Sequence, residues 1–372
     1  MNKNYYSLGL MSGTSMDGVD ASIIWSNGKA EYKAILDKYF EYPNIIYRNL
    51  TKLRDKIKSS KDLKKYQKKI KSVEKEITIF HANLVNKILK KTKLNIDFIG
   101  FHGQTIYHNA EKKISRQLGD ARLLSRLTKL NVINDFRQQD LKNGGQGAPL
   151  TPIFHQLIAK KKKIKLPVNF LNLGGIANIT RILNYKPRGL LSYDVGPGNC
   201  LIDLWIRKKT KKKFDYNGSI ASSGKANKSI IDLMHLNLIK KNSLKYVKHK
   251  LSLDIKDFNL TKDFEKLSLA DGAATLTEFT SKTLDSFIKN VNRDEEKIIL
   301  CGGGRKNKFL VKKLKKKINV KLIDSYGIGG DFVESQAFAY LAIRSYLKLP
   351  ISYPETTGCK KPNTGGKLVK NF

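Results

Sequence analysis

The fold is decided by the stretch Leu8-Gly9-Leu10-Met11-Ser12-Gly13-Thr14-Ser15-Met16-Asp17-Gly18-Val19-Asp20. The apolar runs that flank it predict two β-strands, and Gly13 and Gly18 predict a tight turn between them. The N–H groups and hydroxyls of this turn are suited to wrap a polyphosphate, and Asp17 or Asp20 to hold its magnesium, which prefers oxygen ligands. A P-loop is excluded because no Gly-Lys-Ser/Thr follows. The alternative interpretation is an ordinary hairpin turn whose polar side chains are solvated.

Length and composition predict a globular protein of two lobes. The 372 residues exceed the usual size of one domain, and 40% are hydrophobic. No apolar run approaches the roughly 20 residues of a membrane span, and no signal peptide precedes Tyr6, so we expect a cytoplasmic protein without a membrane partner. The three cysteines have neither disulfide-framework nor zinc-site spacing.

The charge is extreme, since 71 Lys and Arg against 32 Asp and Glu give +39. Such a field attracts polyanions, so a nucleic-acid-binding protein has to be considered. The lysines are spread along the chain, however, and no known nucleic-acid motif accompanies them. We therefore predict a solvated basic surface with no specific nucleic-acid partner.

The next segments carry a helix and then a polar strand end. Apolar residues spaced by three and four predict one long amphipathic helix within residues 51–91. An apolar strand then breaks at Gly103 into Gln104 and Thr105, where a ligand can sit. The histidines nearby, His102 and His108, lack a third metal ligand at suitable spacing, which favours hydrogen-bonding roles.

Residues 117–150 place charged groups at the ends of apolar runs. Arg137 suits a carboxylate or phosphate ligand because its planar fork binds in bidentate fashion, but a structural ion pair with Asp135 is an equal alternative. The glycine-rich segment 144–147 is interpreted as a boundary between lobes.

The second half repeats the opening layout. Residues 170–180 form another apolar strand, a Gly174-Gly175 turn and an alternating strand, so two such turns can grip one phosphate chain. A following strand ends at Asp194, where a general base would be presented, although capping of the next turn is the alternative. Gly302-Gly303-Gly304 then lets a flat ring lie on the backbone. Glu334 lies in the first turn of a last helix, where capping competes with function.

These motifs follow the order of one known family. The residues that carry the resemblance are Gly9 to Asp20, Phe101-His102-Gly103-Gln104-Thr105, Gln117-Leu118-Gly119-Asp120, Asp135-Phe136-Arg137, Gly144 to Leu150, Asn172 to Asn178, Asp194 to Asn199 and Cys301 to Gly304. On these residues the chain resembles the anhydro-N-acetylmuramic acid kinases, of the sugar kinase, Hsp70 and actin superfamily. Val195 departs from the family's usual threonine, and residues 210–265 match poorly.

The resemblance implies an α/β fold of two ribonuclease-H-like lobes with a nucleotide cleft between them. Lobe I is expected at residues 1–138 and 353–372, with a phosphate hairpin and part of the sugar site. Lobe II is expected at residues 139–352, with the second hairpin, the catalytic aspartate and the adenosine site.

The resemblance also implies ATP-dependent phosphorylation of 1,6-anhydro-N-acetylmuramic acid with hydrolytic opening of the anhydro ring, in peptidoglycan recycling. ATP and Mg²⁺ are the implied cofactors, a small sugar is the partner, and a homodimer is possible. Asp194 is the implied catalytic base. The implied nucleotide-binding residues are Gly13, Thr14, Ser15, Met16, Asp17, Gly18, Val19, Asp20, Gly174, Gly175, Gly302, Gly303 and Gly304, with Asp17 and Asp20 also at the metal. The sugar-side candidates are Gln104, Thr105, Asp120, Arg137 and Glu334, of which Arg137 suits a lactyl carboxylate.

Two other classes of protein function are considered. A non-catalytic nucleotide switch of the actin or Hsp70 type is disfavoured, because it has little use for polar side chains at several strand ends. A polyanion-binding protein would show steeply salt-dependent DNA binding.

Overall fold

The computed structural model describes residues 3–247, 253, 257–258, 260–261, 263–291 and 296–371. Its strands are β1 (Tyr5–Ser12), β2 (Gly18–Ser26), β3 (Tyr32–Glu41), β4 (Phe98–Asn109), β5 (Ile114–Leu118), β6 (Asn131–Asn134), β7 (Val168–Leu173), β8 (Ile176–Ile182), β9 (Leu190–Pro197), β10 (Lys297–Cys301), β11 (Val320–Leu322) and β12 (Lys367–Val369). Its helices are α1 (Asn44–Lys56), α2 (Ser60–Lys65), α3 (Gln67–Thr92), α4 (Ala121–Thr128), α5 (Gln138–Lys142), α6 (Pro152–Lys161), α7 (Cys200–Lys209), α8 (Ser219–Ser223), α9 (Lys228–Val247), α10 (Leu269–Val291), α11 (Lys308–Lys315), α12 (Val333–Tyr346) and α13 (Pro354–Thr357). Among these described helices, none combines the length and the apolarity of a membrane span.

The chain divides into two α/β units whose five-stranded cores have the same topology, and unit 1 adds β5 and β12 to its sheet. Unit 1 comprises Met1–Ile164 and Phe332–Phe372, and unit 2 comprises Lys165–Asp331. In unit 1, β1, β2 and β3 form an antiparallel meander, while β4 lies parallel to β1 and β6 parallel to β4. In unit 2, β7, β8 and β9 form the meander, and β10 and β11 add the parallel strands. This order is that of a ribonuclease-H-like sheet, so the predicted fold class of two such lobes is confirmed.

The apolar stripe of the predicted helix packs against the sheet of unit 1, but the helix is shorter than expected. The buried positions Ile70, Val73 and Ile77 belong to α3, whereas α1 and α2 precede it as separate helices. The break comes at Ser59, which caps α2: the Asp62 carboxylate accepts the N–H of Ser59 at 2.8 Å. The predicted long amphipathic helix is confirmed in α3, but its expected start near residue 51 is wrong, because the separate helices α1 and α2 precede it.

Helix α12 packs directly on the backbone of the unit 1 sheet. A Cβ on Gly9 of β1 would lie 1.9 Å from the carbonyl oxygen of Ser335, and one on Gly100 of β4 would lie 2.3 Å from that of Phe338. The Ser22 and Ser335 hydroxyls share a hydrogen bond of 2.7 Å at the same contact. Glycine is thus required on two neighbouring strands so that helix and sheet can approach this closely.

The core of unit 2 lies between its sheet and helices α7 and α10. Leu171 and Ile179 of the sheet, Trp205 of α7 and Leu276 of α10 are buried in one cluster. The Trp205 indole N–H donates to the carbonyl oxygen of Leu269 at 2.9 Å, which joins the two helices.

The unit boundaries differ from the expected ones at both junctions. Residues 139–164 and 332–352 belong to unit 1. Phe154 of α6 contacts Tyr32 of β3 edge-on, with ring centroids 5.2 Å apart, and the glycine-rich segment is tied back by Gln146, whose N–H donates to the Thr357 carbonyl at 2.8 Å. Glycine content marked a turn within unit 1 where we had expected a linker.

We predict that Gly9→Ala lowers the free energy of unfolding by about 3 kcal/mol, because overpacking against backbone atoms leaves little room for relaxation. Urea unfolding followed by circular dichroism measures this loss. The matched control is Gly303→Ala, whose Cβ would meet no atom within 4 Å. Equal stability of the two variants would contradict the close-packing interpretation.

Candidate active site

The turn Gly13–Asp17 between β1 and β2 presents polar groups to solvent. Thr14 and Ser15 are exposed, and the Ser15 hydroxyl donates to the Asp17 carboxylate. Met16 anchors the turn: its side chain is buried, its φ is 59°, and its N–H donates to the carbonyl oxygen of Gly13 at 3.2 Å. At Met16, only the backbone is therefore available to a ligand.

The rest of the hairpin is structural at two of its three predicted positions. A Cβ on Gly18 would lie 2.4 Å from the carbonyl oxygen of Phe40, so this glycine permits the contact between β2 and β3. The Val19 side chain is fully buried in the core. Asp20 is half-buried on β2 and stays a candidate for a ligand contact.

Tyr42 secures the base of this turn and was missed by sequence reasoning. Its N–H donates to the Asp17 carbonyl at 2.8 Å, and its buried hydroxyl shares a hydrogen bond of 2.8 Å with the Ser12 hydroxyl. Tyr42 follows β3 in the chain, so no local pattern linked it to the turn.

A β-bulge in β4 aims two further side chains. Leu10 of β1 pairs with Phe101 and Met11 with Gly103, so His102 is an extra residue on β4. The bulge depends on Gly103, which has a φ of 73° and whose Cβ would lie 2.2 Å from the Leu118 carbonyl oxygen.

The side chains of Gln104 and His102, at the bulge, bind different partners. The buried Gln104 amide Nε2 donates to the Gly13 carbonyl at 3.0 Å. The His102 Nδ1–H donates to the Gly103 carbonyl at 2.8 Å, and its Nε2 accepts from Arg137 at 2.9 and 3.1 Å. Burial, and to a lesser extent the positive charge of Arg137, hold the pKa of His102 well below its usual value. The ring is therefore a neutral acceptor.

Arg137 is held without an ion pair to Asp135. Its Nη1 donates to the Gly147 carbonyl at 2.8 Å, and its other two contacts are to His102. Burial lowers the pKa of Arg137 to about 10, against the opposing charges of Glu334 and Asp140. Asp135 pairs instead with Lys367 at 2.6 Å, so the structural ion pair considered from the sequence does not form between those two residues. The structure thus brings Arg137, His102 and Glu334 together.

Two sugar-side candidates have local structural partners. Asp120 is exposed and caps α4, where one carboxylate oxygen accepts the N–H groups of Arg122 and Leu123 at 2.9 and 3.0 Å. The Thr105 hydroxyl accepts from the Gln117 amide at 3.1 Å. Asp120 therefore fills the ordinary capping role, and Thr105 keeps its hydroxyl proton for another acceptor.

A buried carboxylate, Asp140, holds the loop that supports Arg137. It accepts the N–H of Gly147 at 2.7 Å and the hydroxyls of Ser352 and Thr357 at 2.5 and 2.7 Å. Sequence reasoning missed Asp140 because two of its three partners, Ser352 and Thr357, lie more than 200 residues away in the chain.

The corresponding turn of unit 2, Gly174-Gly175, is bound to the start of α7. The carbonyl oxygen of Gly174 accepts the N–H of Asn199 at 2.8 Å, and that of Gly175 accepts the N–H groups of Gly198 and Cys200 at 2.9 and 3.1 Å. These bonds leave the N–H side of the turn for a ligand.

Arg305 shapes the glycine segment Gly302–Gly304. Its guanidinium is almost fully buried, contacts the Asp324 carboxylate at 2.7 and 2.9 Å and Asp331 at 2.7 Å, and donates to the Gly302 carbonyl at 3.2 Å. These bonds raise its pKa against the effect of burial. A Cβ on Gly303 would meet no atom within 4 Å, so this glycine is open to a flat ligand.

Asp194 is the most perturbed carboxylate that sequence reasoning selected. It lies within β9, three residues before the strand ends, opposite Asn178 of β8. Burial raises its pKa from 3.8 to about 7, and the hydrogen bond from the Leu253 N–H at 2.8 Å opposes that rise. Val195 is the extra residue of a second bulge, and its side chain is buried in the core of unit 2.

Among the described residues, no cluster of three or more His, Cys, Asp or Glu side chains is arranged to hold a metal ion. Any divalent cation at Asp17 or Asp20 would therefore take most of its ligands from a bound phosphate chain and from water.

Comparison with known proteins decides the family. The family model described as anhydro-N-acetylmuramic acid kinase matches residues 5–371. An anhydro-N-acetylmuramic acid kinase of Pelagibacter ubique is 52% identical over 381 residues, covering 100% of both chains. Those of Zymomonas mobilis and Brucella canis are 38% and 35% identical and cover 97% and 98% of this chain and 99% and 98% of their own.

The chain belongs to the anhydro-N-acetylmuramic acid kinase family.

Membership of the anhydro-N-acetylmuramic acid kinase family confirms the resemblance noted in the sequence and makes the chain a phosphotransferase. It decides for the enzyme over the non-catalytic nucleotide switch. The roles of Asp194, Arg137 and the glycine turns stay predictions. They are argued from the contacts and burial described above.

The raised pKa of Asp194 predicts a pH-dependent stability. In the unfolded chain the carboxyl ionises near pH 4, and in the folded protein near pH 7, so its contribution to stability is lost as pH rises from 4 to 7. The variant Asp194→Asn cannot ionise. As pH rises through this window, we expect the difference in free energy of unfolding between the variant and the parent to shift in favour of the variant. The shift should be at most about 1.4 kcal/mol per pH unit. Parallel curves from urea titrations at pH 4.5 to 8 would show an unperturbed carboxylate.

Proposed function

We propose that the chain transfers the γ-phosphate of ATP to O6 of 1,6-anhydro-N-acetylmuramic acid and hydrolyses the 1,6-anhydro bond in the same reaction. The product is N-acetylmuramic acid 6-phosphate. The names of the full-length relatives support the substrate. The observation that carries the reaction type is Asp194, because a carboxylate whose pKa is about 7 is poised to act as a general base at neutral pH.

In this proposal, Asp194 takes a proton from water as the water oxygen bonds to the anomeric carbon. The bond from that carbon to O6 breaks, O6 takes the γ-phosphoryl group, and ADP leaves. A neutral amide cannot accept the proton, so the step requires the ionised form of Asp194. The hydrogen bond from the Leu253 N–H keeps one carboxylate oxygen oriented, which leaves the other for water.

Each of the three glycine segments, taken by itself, offers groups that suit part of a nucleotide. Thr14 and Ser15 offer exposed hydroxyls and N–H groups for phosphate oxygens, Gly174 and Gly175 offer a second turn, and Gly303 gives an open surface for the nucleoside. Mg²⁺ at Asp17 and Asp20 would neutralise phosphate charge. Because phosphoryl transfer depends mainly on positioning and charge stabilisation, these turns contribute to the chemistry as well as to binding.

Arg137 is the strongest candidate for the lactyl carboxylate of the sugar. Three of its five N–H donors contact His102 and Gly147, which leaves two for a ligand among the described residues. Glu334 and Thr105 are proposed as hydrogen-bonding partners of the sugar hydroxyl or amide groups.

The proposed setting is the cytoplasm, in recycling of peptidoglycan fragments and amino-sugar catabolism. Cys200, Cys301 and Cys359 are buried and form no disulfide bond, which fits a reducing compartment. A homodimer and the lack of a specific nucleic-acid partner stay predictions.

The decisive test offers the purified protein ATP with the anhydro sugar and, separately, with glucose, N-acetylglucosamine and N-acetylmuramic acid. We expect ADP release with the anhydro sugar alone, and mass spectrometry should show a product heavier by one phosphoryl group and one water. Phosphorylation that leaves the anhydro ring intact would refute the coupled hydrolysis.

We predict that Asp194→Asn lowers kcat by about a hundredfold to ten-thousandfold, the usual contribution of a general base, and leaves ADP affinity within twofold. Steady-state kinetics and calorimetry provide the two readouts. Asp120→Asn is the matched control, since that carboxylate is exposed and caps a helix. A variant at Asp194 that retains its turnover would remove this residue from the role of base.

A further inference from the structure

The Gln104 side chain is fully buried, which is unusual for an amide expected to bind a sugar. Its Nε2 donates to the Gly13 carbonyl at 3.0 Å and lies 3.4 Å from the Thr105 carbonyl. Both contacts are to backbone atoms, and the first spans 91 residues of chain. The donor side of the amide is thus engaged with the candidate phosphate turn, whereas its buried Oε1 has no hydrogen-bond partner among the described residues.

The bulge explains why Gln104 reaches that turn. With the extra residue His102 in β4, Ser12 at the end of β1 pairs with Gln104. If the same residues formed a regular ladder without the bulge, Ser12 would pair with Gly103, which has no side chain to offer. The chain therefore uses a glycine with positive φ and an inserted residue to place one amide beside the first residue of the turn.

Gly13 needs this support because little else holds it. A Cβ on Gly13 would meet one atom within 4 Å, the Ser15 hydroxyl at 3.8 Å, so the residue lacks packing neighbours on that side. Its carbonyl accepts the Gln104 amide and the Met16 N–H. The two bonds together orient the peptide that links Gly13 to Thr14.

We infer that Gln104 is a positioning residue that holds the Gly13–Asp17 turn in its ligand-ready conformation, and that it acts on the nucleotide rather than on the sugar. The inference rests on the proposed nucleotide-binding role of the turn. The same bulge directs His102 to Arg137, so one irregularity in β4 supports both the phosphate turn and the proposed sugar-binding guanidinium.

The test uses Gln104→Met, which preserves the buried volume and removes the donor. We expect ADP to bind about three- to tenfold more weakly by calorimetry without sugar, in line with the loss of one hydrogen bond. Hydrogen–deuterium exchange of the nucleotide-free protein should speed up in the peptide that covers residues 13–17. The KM for the anhydro sugar should change by less than twofold.

The matched control is Gln138→Met. The Gln138 amide also donates to a backbone carbonyl, that of Lys113 at 2.9 Å, but at an exposed site on α5. We expect its ADP affinity and its exchange pattern to match those of the parent protein.

Three outcomes would overturn the inference. A raised KM for the sugar with unchanged ADP affinity would make Gln104 a sugar ligand. Faster exchange throughout unit 1 would make it a general packing residue, and unchanged exchange in residues 13–17 would remove its link to the turn. Failure of the proposed function is distinguishable, because a protein without anhydro-sugar kinase activity would still report the Gln104–Gly13 link through exchange.

Discussion

The contact between helix α12 and the backbones of β1 and β4 is the constraint on which unit 1 depends. Gly9 and Gly100 let the helix approach until carbonyl oxygens of α12 occupy the space of the absent side chains. The approach gives Ser335 a partner on β2, stacks the Phe338 ring 4.5 Å from that of His102, and places Glu334 beside Arg137. A wider spacing would separate helix α12 from the end of β4, which carries part of the candidate site.

Much of the fold followed from the sequence, because hairpins and amphipathic stretches are local patterns. The two glycine turns, the apolar stripe of α3 and the Gly302–Gly304 segment were all found in this way. The domain boundary was misplaced since glycine content alone does not tell a linker from a turn that is bound on both sides. The break before α2 was missed because the helix was predicted from apolar residues that lie in α3, after the Ser59–Asp62 cap.

The candidate site was predictable in its residue types but not in its connections. Asp194, Arg137 and the turns were identified from chemistry at strand ends, whereas Tyr42, Asp140 and Arg305 were missed. Each of these three makes its decisive bonds to groups distant in sequence or to backbone carbonyls, which leave no spacing signal. The bulges at His102 and Val195 could not be predicted either, because an inserted residue looks like any other strand residue in the sequence.

The bulge at His102 also limits how this protein can vary in length. Strand β4 passes through the middle of its sheet, between β1 and β6, and its side chains alternate between faces on either side of one inserted residue. Deleting His102 would leave Met11 paired with Gly103 and Ser12 with Gln104, but it would remove the bulge together with the ring nitrogen that accepts from Arg137. The length of this segment is therefore tied to the contact with Arg137, and its composition is tied to Gly103, whose positive φ and close approach to the Leu118 carbonyl leave no room for a side chain.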